Sequence, residues 1–264
     1  MPPRSHELYH WDWIWEVNIE TTILESEIAG ERVLVGSFGG ARMLFGLGPP
    51  LAADPPEIRS LRLLNALAPE VHGLRWGRQV HGREMGSITC DADRGFGGAA
   101  CVGECDALVT TEPGVGLMVW TADCVPILLE GPGVVAAIHS GWRGTAADIV
   151  GAVVHTFAVD YGVAADQIHA VLGPAISGPQ YEVGPDVINA LEAVGTDDDA
   201  WRRDNRVDLR LFLAGRLRRL GVEPGSIGVI GPCTASTAHL ASYRRDGVDA
   251  GRQWSLVYRG CSGD

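Results

Sequence analysis

The sequence predicts an α/β (α+β) fold, a single layered domain with a mixed β-sheet flanked by helices. Three observations predict it. The 264 residues are 46% hydrophobic, enough to bury a full core at the upper end of one-domain length. Short apolar runs of strand length recur along the chain, and they alternate with segments whose apolar residues repeat at the helical period. Strands and helices interspersed in this way suit a layered domain.

Residues 1–30 read as an N-terminal extension packing on the core. There Trp11, Trp13 and Trp15 alternate with Asp12 and Ile14, and the strand period puts the three indoles on one face. Such a stripe is a packing edge or, alternatively, a stacked binding surface. Residues 31–264 read as one domain. Strand candidates are Arg32 to Phe38, Asp106 to Thr110, Gly116 to Thr121, Pro126 to Glu130, Val134 to His139, Ile168 to Leu172, Ser226 to Ile230 and Trp254 to Tyr258. The clearest helix runs from Ala146 to Asp160, where Ala146, Ile149, Val150, Val153, Val154 and Phe157 form one apolar stripe and Thr145 with Asp148 supplies a capping signal. Two more helices are expected from Pro185 to Val194 and from Leu209 to Leu220. Gly-rich or acidic stretches, Arg94 to Gly103 and Gly195 to Ala200, read as surface loops.

Composition excludes several function classes. The net charge of -12 argues against a general electrostatic grip on nucleic acid or an anionic membrane. All 21 cationic side chains are Arg, so a Walker-type phosphate lysine, a Schiff-base lysine and a lysine general base are all ruled out. Met1 to Tyr9 is polar and lacks the apolar stretch of a secretory signal, and no apolar run approaches bilayer length. The six cysteines are therefore expected in a reducing cytoplasm.

Three segments share a design in which an apolar strand ends in a metal-competent side chain followed by a turn. They are Gln79-Val80-His81-Gly82, Thr121-Ala122-Asp123-Cys124-Val125-Pro126 and Ile138-His139-Ser140-Gly141-Trp142-Arg143-Gly144. Two imidazoles and a thiolate are ligands that Zn²⁺ prefers, and three ligands leave a fourth tetrahedral position open for water, whose pKa would fall towards about 7. Singly, each residue also reads as an ordinary buried or hydrogen-bonded side chain, and the separations match no short zinc motif. Cys90, Cys101 and Cys105 show no ligand-pair spacing and read as incidental thiols.

These contexts resemble the laccase-domain, or multicopper polyphenol oxidase, family (YfiH-like). The resemblance continues through Asp106-Ala107-Leu108-Val109-Thr110, Gly173-Pro174-Ala175-Ile176, Tyr181-Glu182-Val183-Gly184, Cys233-Thr234, Ser242-Tyr243-Arg244-Arg245 and Gly251-Arg252-Gln253. It implies that His81, Cys124 and His139 bind zinc, with copper the less favoured metal. It implies phosphorolysis of adenosine, inosine, guanosine or methylthioadenosine, and deamination of adenosine, with purine nucleoside and phosphate as partners. The family usually has Ala where Ser140 stands, and an Asn-Arg pair common in it appears here as Ile58-Arg59.

Cys124, Asp123 and Arg143 are accordingly the expected catalytic residues, and Arg59, Ser140, Tyr181, Tyr243 and Arg244 the expected substrate contacts. Arg143 follows His139 by one turn, beside the start of the expected helix, where backbone N–H groups and the helix dipole would favour phosphate. A structural pair with Asp123 or Asp148 is the other role open to it. Asp123 either shuttles protons in deamination or orients one of the histidines. A metal-free cysteine hydrolase using Cys124 with His81 or His139 is an alternative, as is a peptidoglycan-editing role. Copper phenol oxidation is disfavoured because the eight histidines include no His-x-His pair. The sequence sets no oligomeric state.

Overall fold

The computed structural model describes residues 24–38, 40–48, 56–89, 97–197 and 199–260. The Trp11 to Trp15 stripe, Cys90, Cys261 and the start of the Gly-rich stretch lie outside them. In chain order the first half contains β1 (Leu24–Ile28), β2 (Glu31–Phe38), β3 (Ala41–Gly46), α1 (Pro56–Leu67), β4 (Gly73–Arg78), β5 (Met85–Ile88), β6 (Gly98–Glu104) and β7 (Ala107–Thr110). Then come β8 (Val115–Thr121), β9 (Val125–Gly131), β10 (Val134–Ser140), α2 (Trp142–Ala146), α3 (Ile149–Tyr161), β11 (His169–Leu172) and α4 (Pro185–Val194). The remainder is β12 (Arg202–Arg203), β13 (Arg206–Val207), α5 (Leu209–Arg219), β14 (Ile227–Val229), α6 (Tyr243–Asp246) and β15 (Gln253–Arg259).

The layering is α/β, but the expected single mixed sheet is two mixed sheets packed face to face. One has the order β1-β2-β3-β15-β8-β4-β6, the other β14-β11-β9-β10-β7-β5. The period-two alternation of side chains explains the arrangement. In β8, Leu117 and Val119 face the second sheet, where they meet Leu128, Val135, Ala137 and Val171. Met118 and Trp120 point the other way, joining Leu44, Trp254, Leu256 and Tyr258 against Leu63 and Leu67 of α1. On the far face of the second sheet, Ile127, Leu129, Val134, Ala136 and Ile138 pack on α3, α4 and α5. Each central strand is thus covered on both faces, and the four layers are α1, sheet, sheet and a helical layer.

The expected helix from Ala146 to Asp160 is broken in two. Asp148 adopts a left-handed conformation (φ 56°) between α2 and α3, and its carboxylate caps α3 by accepting from Gly151 N. Thr145 is no cap: its hydroxyl donates to the Gly141 carbonyl and meets Ser140 Oγ at 2.9 Å. Helices α4 and α5 lie where the apolar period placed them, α5 starting from Asp208, whose side chain accepts from Arg210 N and Leu211 N. The Gly-rich stretch expected as loop up to Gly103 contains β6 instead. Thr196 and Asp197, expected as a solvated turn, are tied to Phe212 O and Arg218.

Strand direction positions the site. β4 and β8 run parallel, so their C-terminal ends, followed by His81 and Cys124, emerge on the same side. The β9–β10 hairpin register sets His139 opposite Pro126, two residues beyond Cys124. Carboxyl ends of parallel strands are the usual place for ligands in open α/β sheets.

Candidate metal centre and its cavity

Asp106 sits at the entry to β7 and is almost fully buried. Its carboxylate accepts from three successive backbone amides, Val80 N at 3.2 Å, His81 N at 2.9 Å and Gly82 N at 2.8 Å. That cluster of N–H groups holds His81 at φ 62°, a left-handed conformation that costs a non-glycine residue energy unless its surroundings enforce it. Gln79 fastens the same loop to β8: its amide donates to Trp120 O at 2.7 Å and accepts from Trp120 N at 2.8 Å.

Asp106 Oδ1 also lies 2.8 Å from His139 Nδ1. Bonds from His139 and the Gly82 amide outweigh burial and lower the Asp106 pKa. An ionised carboxylate only accepts, so Nδ1 carries the hydrogen and Nε2 of His139 faces the site. The two imidazoles meet edge to face, centroids 4.8 Å apart. The donor atoms of His81, Cys124 and His139 all lie within 4.8 Å of one another.

Burial alone would push the Cys124 thiol up, but hydrogen bonds from His139 and His81 bring it down to about 6. His139 is lowered by burial and raised more strongly by Asp106 and Cys124, to about 9. Without an ion, a thiolate and an imidazolium face each other at neutral pH. A divalent ion would take the place of that proton, and a thiolate with two imidazoles fits Zn²⁺. Gly141 completes the fit, because a Cβ there would lie 2.8 Å from Cys124 Sγ and 3.2 Å from the His81 ring.

The three residues open into a cavity of about 850 Å³ whose walls include Trp142, Arg143, Ile176, Tyr181, Tyr243 and Arg244. Arg143 is exposed and lies over the Trp142 ring at 4.3 Å. Neither acid proposed as its structural partner is paired with it. Asp148 binds Arg216 at 2.7 Å, and Asp123 accepts from Thr234 Oγ1 at 2.6 Å and from Arg244 N at 2.7 Å. The helix start expected to point at the anion site is also corrected: α3 begins at Asp148, and that carboxylate takes its N-terminal end. Burial and the neighbouring Cys124 charge push the Tyr181 phenol up to about 12, so it faces the cavity as a hydrogen-bond donor.

Two expected substrate contacts do not reach the cavity. Arg59 is 4% exposed, packed behind Trp120 at 5.0 Å, paired with Glu31 and bonded to Arg252 O. Ser140 is fully buried with its hydroxyl on Thr145. The expectation that Asp123 orients a histidine is overturned as well, since Asp106 does so for both. Sequence reasoning read Asp106 only as the start of a strand, and its contacts with residues 80–82 and 139 leave no local signal.

Residues 57–260 match the family described as multi-copper polyphenol oxidoreductase laccase. A protein of Mycobacterium tuberculosis named purine nucleoside phosphorylase Rv2149c is 36% identical over 220 residues, 81% of this chain and 84% of that one. A purine nucleoside phosphorylase of Deinococcus radiodurans is 42% identical over 156 residues, 58% of this chain and 61% of that protein. The crystal structure of YlmD from Geobacillus stearothermophilus superposes with a TM-score of 0.75 at 27% identity, covering 91% of this chain and 100% of the other. That of hypothetical protein YfiH from Bacillus licheniformis gives the same TM-score at 24% identity, covering 86% and 96%, a likeness of fold.

Proposed function

Because the chain belongs to the multi-copper polyphenol oxidoreductase laccase family, whose relatives above carry the name purine nucleoside phosphorylase, we propose that it is a zinc-dependent enzyme cleaving purine nucleosides with phosphate. The observation that carries the reading is the cavity itself, which sets the His81, Cys124 and His139 cluster beside the Arg143 guanidinium. Arg143 has no carboxylate partner among the described residues, and its fork of N–H donors suits a phosphate dianion. Zinc held by the three residues would supply a Lewis acid close to the reacting groups.

Arg143 and the Tyr181 hydroxyl hold the phosphate so that one oxygen faces the ribose C1′. A bond forms from that oxygen to C1′ while the C1′–N9 bond breaks, and the departing purine keeps the electron pair and takes a proton. The products are the free base and ribose 1-phosphate. Deamination is the weaker reading. It requires a carboxylate free to carry protons, and both oxygens of Asp123 already accept hydrogen bonds.

Zinc suits this donor set better than the coppers of a phenol oxidase, which would need further ligand clusters. His81, Cys124 and His139 form the one such cluster of His, Cys, Asp and Glu found among the described residues. Purified protein incubated with inosine or adenosine and phosphate is expected to release base and ribose 1-phosphate. A chelator should abolish release and zinc restore it. Arg143→Ala is expected to raise the KM for phosphate by about tenfold or more, the loss of a charged bidentate contact. Turnover that persists in metal-free protein and is lost on alkylating Cys124 would favour the cysteine-hydrolase alternative instead.

A further inference from the structure

We propose that Asp123 is a positioning residue, and that it clamps the Tyr243–Arg244 turn as a preformed wall for the purine base. The placement of the base rests on the phosphorylase reading above; the clamp does not. Asp123 precedes Cys124 in a left-handed conformation (φ 85°), and its own carbonyl is held by Ile176 N. Its side chain reaches across the cavity floor to residues more than a hundred positions away. Thr234 Oγ1 donates to one oxygen and the Arg244 amide to the other.

The turn it grips has little apolar burial to hold it, because α6 contains only four residues, all exposed. Polar ties hold it instead. The Ser242 hydroxyl accepts from Arg245 N, and the Arg245 guanidinium donates to the carbonyls of Thr234, Thr237 and Leu240. The Arg244 guanidinium reaches the Gln180 and Glu182 carbonyls and lies over the Tyr181 ring at 5.1 Å. Arg244 is thereby committed to protein carbonyls, which leaves Arg143 to meet the phosphate.

These ties present Tyr243, 56% exposed and lining the cavity. One face of Trp142 is covered by Arg143 and one face of Tyr181 by Arg244, whereas Trp120 is 7% exposed and backed by Arg59. Tyr243 is the most exposed ring in the cavity and offers a flat surface to a purine. Holding it in place before binding removes an ordering cost that a mobile loop would impose on each nucleoside.

Three variants and two readouts test this. In Asp123→Ala, the KM for nucleoside is expected to rise about tenfold or more, with kcat, the KM for phosphate, the pH profile and zinc content close to wild type. Asp123→Asn can still accept from the Arg244 amide and donate to Thr234, so it should restore most of the loss. Asp123→Ala combined with Tyr243→Ala should bind nucleoside no worse than Tyr243→Ala alone, since residues acting through one contact are non-additive. A collapse of kcat in Asp123→Asn at unchanged KM, or full additivity of the two alanine variants, would overturn the proposal. Amide exchange needs no substrate: the Arg244 N–H should exchange about tenfold faster or more in Asp123→Ala. Unchanged exchange sinks the clamp whatever the enzyme acts on. Faster exchange in a protein that turns over no nucleoside would support the clamp while defeating the phosphorylase reading.

Discussion

One carboxylate arranges both histidines of the cluster, Asp106 fixing His81 through backbone amides and His139 through its ring. Removing its charge should loosen both. Asp106→Asn is expected to weaken zinc binding by about 10–100-fold, the usual consequence of losing a partner that orients a metal-bound histidine, measurable by competition with a chromophoric chelator. In metal-free protein the Cys124 thiolate and His139 imidazolium titrate in opposite senses. The thiol is depressed to about 6, so its contribution to folding is complete above the ordinary thiol value and is lost as pH falls through 6. His139 is raised to about 9, so its contribution is complete below the ordinary histidine value and is lost as pH rises through 9. The charged pair therefore spans about pH 6 to 9. Alkylation of the Cys124 peptide by iodoacetamide should show a midpoint near 6 without metal, a higher midpoint in Asp106→Asn, and protection when zinc is bound. The ligands themselves were legible in the sequence because each closes a strand and opens a turn. Asp106 was not, because its role exists only once β4, β7 and β10 are assembled.

Among the elements, those with an unmixed period were legible. α4 and α5 repeat apolar residues at the helical spacing, and β8, β9 and β10 are apolar on both faces because both are covered. Elements that were not foreseen have a physical reason. β4 interleaves Arg75 and Gly77 with its apolar residues, and β6 is an exposed edge strand of small residues that resembles a loop. The break between α2 and α3 leaves the apolar stripe intact, since Asp148 interrupts the backbone and not the pattern. α1 is pinned by a buried pair: Arg59 holds Glu31, which also accepts from Trp254 Nε1 at 2.8 Å. Arg59→Ala would strand the Glu31 charge in the core and remove the cation behind Trp120. We expect a loss of about 3–5 kcal/mol in chemical denaturation, as for other broken buried pairs. A direct substrate contact would instead give a raised KM at unchanged stability.

For the whole molecule, the four layers put the metal cluster where the two sheets converge, so ligands from different sheets are joined by a single ion. Binding should therefore stabilise the entire fold. At free zinc about a thousandfold above Kd, linkage gives about 4 kcal/mol, or several degrees in Tm for a chain of this size, and chelation should reverse the shift in a calorimetric scan. No helix among the described residues is long and apolar enough to cross a membrane.

β15 lies in the middle of its sheet, hydrogen-bonded to β3 on one side and β8 on the other, although it is the last strand the ribosome delivers. Until it emerges, β3 and β8 each present an unpaired edge to the cell, and the strand that leads into Cys124 has a neighbour on only one flank. A nascent chain stalled before Gln253 would thus be sticky and poorly able to retain its ion, which makes release from the ribosome the step that commits the protein to its active form.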